Sequence, residues 1–165
     1  MRRLNVAAAA LTAGSPSADN VALGASVRMS SLCDVKPPHS PYPLSPKRLT
    51  DGKRKDQYDA CTAGSTRPWV TVKLKQPAIV REVVIYGRHD CCWAGNTLPL
   101  VAELSLKGSP LKTVGRREFP FTRDEPWRIA LAEPVVADTL RLRVDSKATA
   151  EIVLSEIELL GHLQE

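Results

Sequence analysis

Aromatic side chains are scarce in this chain. Two Phe, three Trp and three Tyr make up 5% of its 165 residues, so each Trp has to be given a role separately. No apolar run approaches the length of a membrane-spanning helix. There is no HExxH, no Gly-x-Ser-x-Gly and no Gly-rich phosphate loop, which removes the usual signatures of zinc proteolysis, serine hydrolysis and nucleotide binding. There is no Cys-x-x-Cys and no paired His spacing, which argues against zinc. The three His, at 39, 89 and 162, have no convincing nucleophile partner. His89 neighbours Asp90 and Cys91, but adjacent residues on an extended segment point opposite ways. Catalysis is therefore not expected. The chain shows no internal repeat and no convincing amphipathic helix.

The rest of the composition is that of a soluble globular protein. Hydrophobic residues make up 43% and charged residues 25%, and the length suits one domain with a real core. The net charge of +5 comes from 23 basic and 18 acidic residues, well mixed along the chain. The most basic stretches, Lys47 to Lys55 and Arg116 to Arg128, read as solvated loops rather than a phosphate track, so nucleic acid is not an expected partner. Arg2 and Arg3 precede a weakly apolar run, Leu4 to Ala13. This suits a degenerate signal segment and a plain leader equally, and both readings stay open. The expected organisation is a leader over 1–19 and one domain over 20–163.

Within that domain the pattern is one of strands. Val21 to Met29 is a candidate first strand. Residues 33–68 are rich in Pro, Lys, Asp and Ser, with Asp51-Gly52 as a turn signal, and read as a long functional or metal-ordered loop. Val70, Val72 and Leu74 then alternate with Thr71 and Lys73. Ile79 to Tyr86 is β-branched and aromatic. Leu100, Ala102, Leu104 and Leu106 alternate with Val101, Glu103, Ser105 and Lys107. Trp127, Ile129 and Leu131 alternate with Arg128 and Ala130, and Leu140, Leu142 and Val144 with Arg141 and Arg143. Ile152 to Leu160 closes the series. Period-two alternation sends one set to a core and the other to water. The predicted core is Val72, Leu74, Val83, Ile85, Leu104, Leu106, Ile129, Leu142, Val144 and Ile157, with Trp69 and Trp127 packing into it. Short strands without helices, and thirteen Pro, predict an all-β, antiparallel jelly-roll β-sandwich.

The order of motifs resembles the discoidin, or coagulation factor 5/8 type C, family over about Asn20 to Gly161. Asn20-Val-Ala-Leu-Gly-Ala-Ser26 is similar to its opening strand, and Leu49-Thr-Asp-Gly52 to its Asp-Gly loop. Pro68-Trp-Val-Thr-Val-Lys-Leu74 and Val83-Val-Ile-Tyr-Gly-Arg88 are similar to two inner strands, and Leu154-Ser-Glu-Ile-Glu158 to the closing one. The resemblance implies a galactose-binding-like jelly roll with its binding loops at one end. Arg88-His-Asp-Cys-Cys92 further resembles the Arg-x-Asp-Cys-Cys segment of fucose-binding F-type lectins. There, adjacent cysteines form a vicinal disulfide packed against the sugar. An upstream His, the Arg and a second basic residue make the polar contacts. In this chain Arg88 and Asp90 match, while Cys61 and Gly95 stand in place of the His and the second basic residue. Weak affinity or a different sugar is the implied consequence.

Several site expectations follow from the resemblance. Arg88 supplies a fork of donors, Asp90 holds it, and Cys91, Cys92 and Trp93 give an apolar face. Asn96 is the nearest replacement for the missing basic group. Four cysteines allow three full pairings. Neighbouring Cα atoms lie closer than an ordinary disulfide prefers, so only the resemblance pairs Cys91 with Cys92; Cys33 and Cys61 then remain for each other. Both bonds need an oxidising compartment, hence a secreted, periplasmic or cell-surface location. The resemblance also sets Asp51 beside Glu156 and implies a structural Ca2+, with carbonyls of Arg48, Lys53 and Ser155 and the hydroxyl of Thr62 as further ligands.

The expected function is therefore non-catalytic glycan binding. A competing use of the same fold is protein or phospholipid adhesion through Lys47, Arg48, Lys53, Arg54 and Lys55. Membranes would otherwise be met only indirectly, through surface glycans or lipids. A thiol enzyme using Cys91 and Cys92 is the third and poorest reading.

Overall fold

The computed structural model describes residues 18–33, 44–53, 60–88, 97–122 and 125–165. Ten strands follow in order: β1 (Asp19–Asn20), β2 (Ser26–Met29), β3 (Ala60–Cys61), β4 (Ser65–Thr66), β5 (Trp69–Gly87), β6 (Leu100–Ser105), β7 (Lys112–Arg117), β8 (Trp127–Val144), β9 (Thr149–Ala150) and β10 (Val153–Leu163). One short 3-10 helix, Pro46–Thr50, lies between β2 and β3. All strand pairings are antiparallel.

Two long strands, β5 and β8, build the sandwich by serving both layers. The first part of β5, Trp69 to Lys73, pairs with β2 and with Thr139 to Arg143 of β8. Its second part, Ala78 to Gly87, pairs with β10 and with the earlier part of β8. Between them the register shifts, from Lys73 to Ala78. Pro77 lies at that corner and Pro134 in the facing stretch of β8. Proline cannot donate to a sheet ladder and is tolerated where pairing breaks. β6 and β7 extend the first layer, while β1 and β3 join β10.

The core lies between the layers. Val70, Val72, Leu104, Leu140 and Leu142 cluster with Val83, Ile85, Ile157 and Leu159. Of the predicted core, only Leu106 is not buried. β6 ends at Ser105, and Leu106 accepts the Ser109 N–H in the turn that follows.

Several sequence expectations change. The expected strand from Val21 to Met29 is a turn over residues 21–24, with Gly24 at φ 71°, followed by the short strand β2. The left-handed region favours Gly there. Val101 and Glu103, expected in water, are buried. Both lie on the central strand β6, where Val101 pairs with Arg143 on one side and Arg116 on the other. The long arginine side chains cover the small residue between them. Trp127 is half-buried and packs against the core as expected, whereas Trp69 is half-buried outside that cluster. Trp69 lies under the Arg141 guanidinium, 5.7 Å from ring centroid to charge centre, a cation–π contact. The closing strand runs on to Leu163.

Candidate functional site

The second part of β5 ends at Gly87, and the chain returns to the sheet at Leu100. The ends of β7 and β8 and the start of β10 lie at this same pole, because Arg117 and Val144 both pair with Leu100, and Leu154 with Gly87. Arg88 is half-buried at this exit, and its N–H donates to Val153 O at 3.3 Å. On the far side of residues 89–96 in sequence, the buried Thr97 hydroxyl donates to Glu151 O at 2.8 Å. Both flanks of residues 89–96 are thus tied to one short segment, Glu151 to Val153. Asp90, Cys91, Cys92, Trp93 and Asn96 themselves lie outside the described residues.

Cys33 and Cys61 are disulfide-bonded, with Cα atoms 5.4 Å apart, an ordinary separation for such a bond. β3 holds Cys61 against Val153, and Cys33 N–H donates to Cys61 O at 3.0 Å. Cys61 is almost wholly buried. A buried half-cystine offers no strong donor to a ligand, so Cys61 does not supply the polar contact that the resemblance implies at this position.

The Asp-Gly loop lies below the pole. The 3-10 helix presents Leu49 and Thr50 inward. The Thr50 hydroxyl donates to Ala25 O at 3.0 Å, and Thr50 O accepts Gly24 N–H at 2.8 Å. Asp51 then caps the turn by accepting the Lys53 N–H at 2.9 Å, and Gly52 takes φ 76°. Glu156 of β10 reaches this turn. Its Oε1 accepts the Gly52 N–H at 3.1 Å, while its Oε2 is buried without a hydrogen-bond partner. Burial pushes the Glu156 carboxyl up to about 9, the Gly52 N–H opposes this, and the nearby Asp51 carboxylate adds to it. A fully buried acid with an orphaned oxygen beside a second carboxylate is a donor set that a hard cation suits.

The other residues expected at that site divide. Thr62 and Ser155 are buried with their hydroxyls bonded to backbone: the Thr62 hydroxyl accepts Ile152 N–H at 2.9 Å, and the Ser155 hydroxyl donates to Tyr86 O at 3.3 Å. Arg48 and Lys53 share the Asp51 loop. The structure thus brings Asp51 and Glu156 together.

A third feature of the pole escaped sequence reading. Arg116, Arg117, Glu118, Phe119 and Trp127 line an open cleft of about 340 Å³. The stretch beginning at Arg116 is therefore not simply a solvated loop: Arg116 and Arg117 end strand β7. Arg116 bonds Glu118 at 3.1 Å and Asp145 at 2.6 Å; Arg143 bonds Asp145 at 3.3 Å and Glu103 at 2.9 Å. The available signal was that both Phe of the chain, at 119 and 121, lie close to Trp127.

Two antiparallel layers joined by the bent strands β5 and β8, with a carboxylate-bearing turn at one end, define an all-β jelly-roll sandwich domain. The chain belongs to the F5/8 type C domain family, which matches residues 30–157. No curated protein matches it by sequence. Among solved structures, a fucolectin from the serum of striped bass, Morone saxatilis, superposes with a TM-score of 0.76 at 21% identity, over 90% of this chain and 50% of that one. This chain thus spans about half of the bass protein. The lectin domain of lectinolysin, solved with Lewis b antigen, gives 0.66 at 20% identity over 86% and 95%. A family 32 carbohydrate-binding module of Clostridium perfringens, solved with galactose, gives 0.64 at 11% over 87% and 98%. At these identities the likeness is one of fold.

Proposed function

We propose that this chain is a non-catalytic, lectin-like domain that recognises a glycan through the loops at the Arg88 pole. The observation that carries the reading is the position of Arg88 at the exit of β5, in the family's fold, with both flanks of the adjoining loop tied to Glu151–Val153. A sugar requires fixed donors for its hydroxyls and a flat apolar surface for its C–H face. Arg88 supplies the first, oriented by Asp90. Cys91, Cys92 and Trp93 supply the second, and Asn96 one more polar contact. Cys61 is bonded to Cys33, and Gly95 has no side chain, so two polar contacts used by fucose-binding relatives are missing. Affinity in the millimolar range, roughly −4 kcal/mol, or a sugar other than fucose is expected.

A structural Ca2+ belongs to the same proposal. Asp51 and Glu156 would hold it, with the carbonyls of Arg48, Lys53 and Ser155 and the hydroxyl of Thr62. Its positive charge would offset two carboxylates and fix the Asp-Gly turn to β10. The Cys33–Cys61 bond supports a secreted, periplasmic or cell-surface location. Among the described residues, no helix is long and apolar enough to cross a membrane.

The experiment is titration of the wild type and Arg88→Ala with L-fucose, galactose and Lewis b tetrasaccharide, at low and high salt. Losing one charged hydrogen-bonding group should cost about 1.5–3 kcal/mol, enough to abolish such weak binding. Unchanged binding by Arg88→Ala would sink the reading. Binding to anionic phospholipid vesicles that falls steeply with salt, with no sugar response, would put an adhesion module in its place.

A further inference from the structure

We propose that the cleft between Phe119 and Trp127 is a second carbohydrate contact on the same pole, one that takes a neutral pyranose ring. This rests on the lectin reading above but on none of its site residues. The cleft, of about 340 Å³, is lined by Arg116, Arg117, Glu118, Phe119 and Trp127, and is large enough for part of a sugar.

The walls are built rather than incidental. Phe119 is 76% exposed, an unusual position for one of only two Phe in the chain. Its backbone is nevertheless held in place. Arg117 Nε donates to Phe119 O at 2.7 Å, and its Nη2 to Pro120 O at 2.9 Å. The same guanidinium lies over the Phe121 ring, 4.6 Å from its centroid. Phe121 in turn is buried against Gly87, where any Cβ would collide with its ring. The turn that carries Phe119 is thus clamped from below, so little conformational entropy remains to be lost on binding.

Trp127 is seated by a second glycine. A Cβ at Gly115 would lie 2.9 Å from Trp127 Cζ2 and 2.8 Å from Ile129 Cδ1, so the bare backbone of β7 lets the indole settle while part of it lines the cleft. Two aromatic side chains lining one cleft suit the apolar C–H face of a sugar ring. Arg116 and Glu118, bonded to each other at 3.1 Å, set a donor and an acceptor at the rim, the polar pair that vicinal hydroxyls need.

Charge selects the class of sugar. The Arg116 charge is met by Glu118 and Asp145. Arg117 has placed two of its five N–H donors on backbone carbonyls, and its guanidinium lies over the Phe121 ring. The Arg116 charge is matched, the Arg117 fork is turned onto its own backbone and Phe121, and the Glu118 carboxylate in the lining repels an anion, so a neutral ring fits better than an anionic one.

The test follows the Trp127 indole N–H by NMR, assigned with Trp127→Phe, during titration of the whole chain with L-fucose, galactose, Lewis b tetrasaccharide and 3′-sialyllactose. At least one neutral sugar should shift the Trp127 signal, and should still do so in Arg88→Ala. Phe119→Ala, a surface change, should weaken that response roughly three- to ten-fold, while Lys75→Ala at the opposite end leaves it unaltered. If sugars cause Arg88-dependent shifts while the Trp127 signal stays still, the second contact is overturned and the lectin reading stands. A Trp127 response to 3′-sialyllactose alone overturns the neutral-ring assignment. No response anywhere overturns both.

Discussion

The Glu156 carboxylate accepts the backbone N–H of Gly52 at 3.1 Å across 104 positions of sequence. This bond joins the closing strand to the Asp-Gly turn, and it leaves the second carboxylate oxygen buried and unpartnered. It also makes the site sensitive to pH. The Glu156 carboxyl is raised from 4.5 to about 9 in the fold, chiefly by burial. A carboxyl that holds its proton more tightly when folded contributes stability below its unfolded value and loses it as pH rises through the folded one.

Metal-free protein should therefore lose stability between about pH 4.5 and 9, by on the order of 2 kcal/mol once partial solvation is allowed for. The proposed Ca2+ would bind the ionised form, so adding it should raise Tm most at the alkaline end and flatten the slope. Glu156→Gln keeps an acceptor for Gly52, and should remove both the slope and the calcium response. Thermal unfolding with calcium or chelator at several pH values reads both. An unchanged slope in Glu156→Gln would show that another group titrates, and an unchanged Tm would show that no cation binds.

The Cys33–Cys61 bond joins residues 28 apart. Chain-entropy reasoning gives such a closure about 3–4 kcal/mol. The double substitution Cys33→Ala/Cys61→Ala should lower urea stability by that order. It should also loosen the pole, because β3 reaches β10 through Cys61 and Val153. Equal stability of the double variant and the wild type would refute a structural role.

Arg143 and Glu103 form an ion pair at 2.9 Å, with Glu103 nearly buried. Arg143→Met strands that carboxylate and should cost roughly 3 kcal/mol, whereas adding Glu103→Leu should recover much of the loss. Denaturant unfolding of the three variants forms the cycle. If the two single-residue effects simply add, the pair is not coupled.

Gly161 has no room for a side chain. A Cβ there would strike the carbonyl of Ile79 on the neighbouring strand, where the β10–β5 register shifts. Backbone cannot move aside as a side-chain tip can, so Gly161→Ala should cost about 3 kcal/mol or more. Stability within 1 kcal/mol of wild type would mean that the strands separate there at little cost.

The sequence by itself determined the strand character of the chain and most of its core. Val72, Leu142 and Ile157 were legible because alternation is a local property, written in the order of side chains. The Asp51-Gly52 turn was legible for the same reason, since Gly at a positive φ is a local need. Burial on the second face of a strand was not legible. Val101 and Glu103 look solvent-facing from their own strand, but Val101 lies between Arg116 and Arg143 on the strands to either side, and Arg143 also bonds Glu103. The role of Trp127 depended likewise on Gly115, which leaves space that no sequence period encodes. Among three possible cysteine pairings, only the approach of β3 to β10 and of Cys33 to both decided the Cys33–Cys61 bond. Glu156 meets Gly52, and Phe119 shares a cleft with Trp127, because β5 and β8 bend between two layers and bring distant turns to one end. Local pattern chose the strands, and long-range packing chose which of their ends and edges became sites.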